Sequence, residues 1–174
     1  MIQYRKIAGF VLGAWLGAAA FADFAVTENF RAVDRFLRSP GSAGASAEIG
    51  TIGGERLRPL LRRNAGEENN VIFSDWETVE IIIGIVLIGL LFADHVRGRV
   101  MSLAATMLAI VAVQRFYLSP EVASLGRQIA DLPPSAPLNS RFWTLHGAYS
   151  GIEVAKLLAG ILLAVPLLRM QHPR

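Results

Sequence analysis

A chain of 174 residues with 53% hydrophobic and only 18% charged side chains, at a mean hydropathy of +0.43, is too apolar for an ordinary soluble domain and too short for more than one compact membrane unit. Its formal charge of +3 does not point to nucleic acid, because the arginines stand at the ends of apolar runs rather than in a basic stripe interleaved with aromatics. The absence of cysteine excludes disulfides, thiolate metal sites and cysteine nucleophiles.

In chain order, Arg5 and Lys6 precede a first apolar run, residues 7–27, of spanning length rather than signal-peptide length. Gly9, Gly13 and Gly17 recur every four residues and predict a smooth strip for close helix packing. Asp23 lies near the end of this span, about 40° round the helix from the glycines, which predicts that it faces protein. Residues 27–38 continue as an amphipathic helix. Residues 39–70 begin Gly/Ser/Ala-rich and read as a long flexible connection, with a short surface helix plausible around Leu57, Leu60 and Leu61. Ser74 and Glu77 have the S-x-x-E spacing of a capping box and predict the start of a second span, residues 75–93, with Trp76 as an interfacial anchor.

After a tight polar turn at residues 94–99, a third span covers residues 100–118 and is predicted to stop at Ser119-Pro120. The segment up to Asn139 contains Pro133, Pro134 and Pro137 and reads as irregular apart from one helical piece at residues 121–129. The fourth span, residues 142–168, is the most informative. It carries His146, Ser150, Glu153 and Lys156 on one arc and Gly147, Gly151 and Ala155 on the opposite one. Counted from Phe142, Glu153 falls near the middle of a ~30 Å hydrocarbon layer, where each charge costs about 2.5–3.5 kcal/mol on insertion scales. The spacing of three lets Glu153 and Lys156 pair, and Arg115 is placed to pair with Asp23 or Glu153.

The expected architecture is an all-α integral membrane four-helix bundle forming a single domain, residues 1–174, with a long first connecting segment. Both termini and the 94–99 turn lie on one side. Counting Lys and Arg favours placing that side in the cytoplasm of a bacterial inner membrane. Asp23, Arg115, His146, Ser150, Glu153 and Lys156 form the expected buried polar cluster. No metal site or cofactor is implied, since His95 and His146 fall on opposite sides, and Ser150 lacks a nucleophile elbow, so no catalytic residue is assigned.

Several stretches carry a family resemblance: GAWLGAAAFADF at residues 13–24 with Phe30-Arg31, Tyr117-Leu118-Ser119-Pro120, and Arg141-Phe142 followed by Leu145-His146-Gly147 and Tyr149-Ser150. Together they resemble the transmembrane-protein-205-like family of four-helix integral membrane proteins, whose domain has no assigned function. The resemblance implies the four-span fold and the membrane location, and neither a reaction nor a cofactor. The sequence thus favours a non-enzymatic structural or accessory subunit that packs through its Gly/Ala strips against a membrane-protein partner or another copy of itself. The alternative is a small proton-coupled or solute transporter working through the polar cluster.

Overall fold

The computed structural model describes residues 3–39, 43–129 and 137–169. Pro133, Pro134 and Arg174 lie outside the described residues. The helices are α1 (Tyr4–Arg38), α2 (Ala43–Ile52), α3 (Gly54–Ala93), α4 (Arg99–Val113), α5 (Ser119–Ile129) and α6 (Pro137–Arg169), with a π-helical turn, Gln114–Leu118, joining α4 to α5. Four stretches are long and apolar enough to cross a membrane: α1, α3, the continuous run Arg99–Ile129, and α6. The chain is an integral membrane protein of all-α, helical-bundle type. Around the bundle the neighbours run α1, α3, α4, α6 and back to α1, an up-down-up-down square.

One end of the bundle is tied by Arg5 on α1 pairing with Asp94 in the α3–α4 turn. That turn needs Gly98, whose φ of 69° with ψ of −139° is a conformation only glycine adopts freely. Taking Arg5, Asp94, Arg99 and Arg169 as one membrane edge, about 20 residues of helix, roughly 30 Å, place the other near Ala25, Ser74, Ser119 and Tyr149. The half of the bundle next to the Arg5–Asp94 tie is a dry core built from Leu12, Leu87, Leu91, Met107, Val111, Leu163 and Leu167.

The predicted flexible connection over residues 39–70 is helical at every described position except Ser39 and Gly53. α2 occupies most of the Gly/Ser/Ala-rich part, and α3 begins at Gly54, about 20 residues before the predicted start of the second span. The cause is tertiary. The amphipathic end of α1 lies along the first turns of α3 and supplies the partners that α3 lacks by itself. Asp34 pairs with Arg58 at 2.9 Å and Arg62 at 3.4 Å, and Arg62 stacks over Phe30. Asn69 accepts from Asn29 at 2.7 Å and donates to the Val26 carbonyl at 3.0 Å. On the outer face Glu28 is held below the ordinary carboxylate range, first by Arg31 and then by Arg35. The two helices form a hairpin rising past the bilayer edge.

The predicted stop at Ser119-Pro120 is also overridden. In the π turn the Ser119 N–H reaches back five residues to the Gln114 carbonyl. This widened turn lies directly ahead of Pro120 and relieves the clash of its ring with the preceding turn, so the helix continues as α5.

Candidate functional site

The site lies where the dry core ends. Lys156 on α6, 1% exposed, donates to Glu80 Oε1 on α3 at 2.6 Å and pairs with Glu153 Oε2 at 2.8 Å. The Trp15 indole N–H on α1 donates to the same Glu80 oxygen at 2.7 Å, and Gln114 Nε2 donates to Glu153 Oε2 at 2.9 Å. All four sides of the bundle thus meet in one layer.

Glu77, one turn above Glu80 and fully buried, receives two hydroxyls on Oε1: Tyr149 at 2.9 Å and Ser119. Its other oxygen, Oε2, has no partner, and neither has the buried Gln114 Oε1. The π turn makes this possible, because its i→i+5 register stacks Ser119 over Gln114, whereas in an α-helix residues five apart point to different faces. Glu77 is therefore not the capping residue predicted. α3 runs unbroken through it from Gly54, and the Ser74 carbonyl accepts from Thr78 within that helix.

By the same count of helical rise, Glu77, Glu80, Glu153 and Lys156 stand roughly 5–10 Å inside one membrane edge rather than at mid-bilayer. A count from Phe142 puts Glu153 too deep, because α6 starts at Pro137 and both Phe142 and His146 stand outside the edge near Tyr149.

A cleft of about 1180 Å³ opens above the layer. Glu153, Tyr149 and Ser119 form its floor, and its walls run out past Phe73 and Phe142 to exposed Arg62 and Arg127. Asp23, Arg115, His146 and Ser150 line it but remain outside the network. His146 is exposed and stacked on Phe142, with ring centroids 5.7 Å apart. The Ser150 hydroxyl donates to the His146 carbonyl of its own helix. Arg115 reaches Thr78 Oγ1 at 3.4 Å, not the predicted Asp23 or Glu153, and the Asp23 carboxylate makes no hydrogen bond or ion pair among the described residues. Of the six residues expected in the cluster, the structure joins Glu153 and Lys156. It adds Trp15, Glu77, Glu80, Gln114, Ser119 and Tyr149.

No protein-family model, curated protein or solved structure matches this chain.

The site therefore has to be judged on its own chemistry. No group of three His, Cys, Asp or Glu side chains that could hold a metal ion occurs among the described residues. The layer holds three carboxylates against one ammonium in a setting where ionisable groups are costly, and the cleft reaches it at Glu153.

The predicted small-residue strips do not pack inside the bundle. Gly13, Gly17, Gly147, Gly151 and Ala155 are exposed and Gly9 is half-buried, and a Cβ at any of the first four would touch nothing within 4 Å. The inward face of α1 follows Ala8, Leu12, Trp15, Ala19, Ala22 and Val26, a spacing alternating between three and four. A strict spacing of four rotates by 40° per step and leaves the glycines on the outer flank. Close helix approach falls instead to Gly84, where a Cβ would meet Leu108 at 2.9 Å and Trp15 at 3.3 Å, and to Gly160, where it would meet Leu16 at 2.5 Å.

Proposed function

We propose that the protein is a non-enzymatic membrane carrier of the alternating-access kind, which takes a small solute from its one-sided cleft and works through the charged layer beneath it. One observation carries this reading: a buried set of three carboxylates and one lysine lies directly beneath a cleft whose floor includes Glu153 of that set, with an apolar plug below it. A purely structural network gains nothing from an access route, whereas a carrier caught open to one side needs both the route and the closed plug. The short-turn edge bears Arg5, Lys6, Arg97, Arg99 and Arg169. We take it as cytoplasmic in a bacterial inner membrane, with the cleft on the opposite face.

The lack of native cysteine makes the test direct. Single-cysteine variants Ser150→Cys in the cleft and Ala104→Cys in the plug are reconstituted in phosphatidylethanolamine/phosphatidylglycerol vesicles and labelled with a membrane-impermeant maleimide from each side. The carrier reading expects Ser150→Cys to react from the cleft side, and Ala104→Cys to react from the other side in part of the population. Labelling of Ser150→Cys alone, unchanged by pH and accompanied by no loss of proton flux in Glu153→Gln, refutes it.

The outward strips of small residues favour a second reading, an accessory subunit seated against another membrane helix. Four of their glycines have free space within the bundle and are available to a partner. Gentle purification followed by identification of co-purifying chains tests it, and recovery as a lone monomer at native abundance counts against it.

A further inference from the structure

Glu77, Tyr149, Glu153, Gln114 and Ser119 close a ring across α3, α6 and the π turn. Glu77 is bonded to Tyr149 and Ser119, Gln114 is bonded to Glu153, Tyr149 and Glu153 are one turn apart on α6, and Gln114 and Ser119 are stacked by the π register. Two oxygens of this ring, Glu77 Oε2 and Gln114 Oε1, are buried acceptors with nothing to accept from. Leaving such atoms bare costs roughly 1–3 kcal/mol each, more for the charged one. What both lack is positive charge or a donor. No cationic side chain among the described residues bonds to either oxygen. Lys156 is spent on Glu80 and Glu153, and Arg115 is held by Thr78. Asp23 at the cleft adds a further negative charge, and the remaining polar neighbour on α1, Trp15, is bonded to Glu80.

We propose that this ring binds one small monovalent cation, a proton on the Glu77 carboxyl or a sodium ion at its bare oxygen, with the Gln114 amide oxygen as a further acceptor. An all-oxygen set containing Glu77 and the Gln114 amide suits a hard ion of single charge, and one occupant lowers the layer's negative excess by one. Entry is through the cleft, because Ser119 and Tyr149 line it and also donate to Glu77. For a proton, either hydroxyl hands its hydrogen to Glu77 Oε1 while accepting a replacement from cleft solvent. One proton is gained by the carboxylate and one is lost from solution. The inference rests on the carrier reading only for the use of the ion as coupling species; binding itself is measured without flux.

The experiment uses the full chain in lipid nanodiscs. Infrared difference spectra across pH, in choline chloride, are expected to show the C=O band of a buried protonated carboxyl that Glu77→Gln abolishes and Glu80→Gln retains. Titration with sodium chloride separates the two ions. If sodium is the occupant, it bleaches that band and raises the thermal unfolding midpoint, and choline does neither. If the proton is the occupant, sodium leaves the band untouched. Gln114→Leu, which removes one bare oxygen and keeps Glu77, is expected to weaken binding of either ion by about tenfold, so the proposal stays testable if Glu77→Gln fails to fold. A band that Glu77→Gln leaves in place, or absence of both the band and the sodium response, overturns it. A normal band together with an Ala104→Cys that never labels refutes the carrier and leaves the cation site standing.

Discussion

Replacing Lys156 with methionine removes the one cation bonded to Glu80 and Glu153 among the described residues while keeping an unbranched side chain one atom shorter. At 2.6 and 2.8 Å and an effective dielectric near 20, each contact is worth roughly 6 kcal/mol before desolvation, most of which the lost hydration of three buried ions offsets. Removing one partner of such a set leaves the carboxylates buried and bare. The expected loss is about 3–5 kcal/mol, the range seen when buried ion pairs are broken from one side. The assay is reversible unfolding of the purified chain in mixed micelles with increasing sodium dodecyl sulfate, followed by helical circular dichroism. One further result is expected. Adding Glu80→Gln and Glu153→Gln to Lys156→Met recovers more than half of the loss, since neutral amides are then buried instead of charges. A Lys156→Met variant within about 0.5 kcal/mol of the parent, or a triple variant no more stable than the single one, refutes the electrostatic account.

Trp15→Phe keeps a smaller aromatic ring but deletes the N–H donated to Glu80, and should cost at least about 1.5–3 kcal/mol in the same unfolding assay. Gly84→Val places a side chain where a single Cβ already meets Leu108 and Trp15, and should destabilise by about 1–3 kcal/mol or more. Gly147→Ala meets no neighbour and should leave the unfolding midpoint of the isolated chain unlowered; a drop comparable to that of Gly84→Val would show that α6 packs through this strip. Asn69→Leu leaves the Val26 carbonyl without its donor and Asn29 without its acceptor. It should loosen the α1–α3 hairpin, read as faster proteolysis between residues 30 and 62 with bundle helicity retained.

The four spans were legible because length and apolarity alone suffice to mark a helix that crosses a bilayer. Glu153 and Lys156 were legible for the complementary reason: charges inside such a run must find partners, and a spacing of three supplies one. Their other partners were not. Glu77 carried a strong local signal, the Ser74 spacing, that fitted a helix start equally well, and only the unseen continuation of α3 shows it to be interior. Gln114 and Ser119 share a face only through the π register, which no α-helical projection displays. The hairpin half of α3 has little periodic apolar signal because ion pairs and amide contacts to α1 hold it, partners that lie from 24 to 43 positions away in sequence. The glycine strips were legible as small-residue faces and lie on the outer flank, whereas the glycines at closest approach within the bundle, Gly84 and Gly160, belong to no strip and gave no signal of their own.

The π turn also sets the rotation of α5. In α-helical register α5 would be turned relative to the rest of the bundle by about the 100° that separates successive helical residues. Ser119 would swing away from Glu77, and the Arg127–Glu67 and Arg141–Glu121 bridges that fasten α5 to α3 and α6 would part in the same movement. One register thus fixes both the Ser119 bond to the carboxylate beneath the floor and the seat of the helix along the cleft wall.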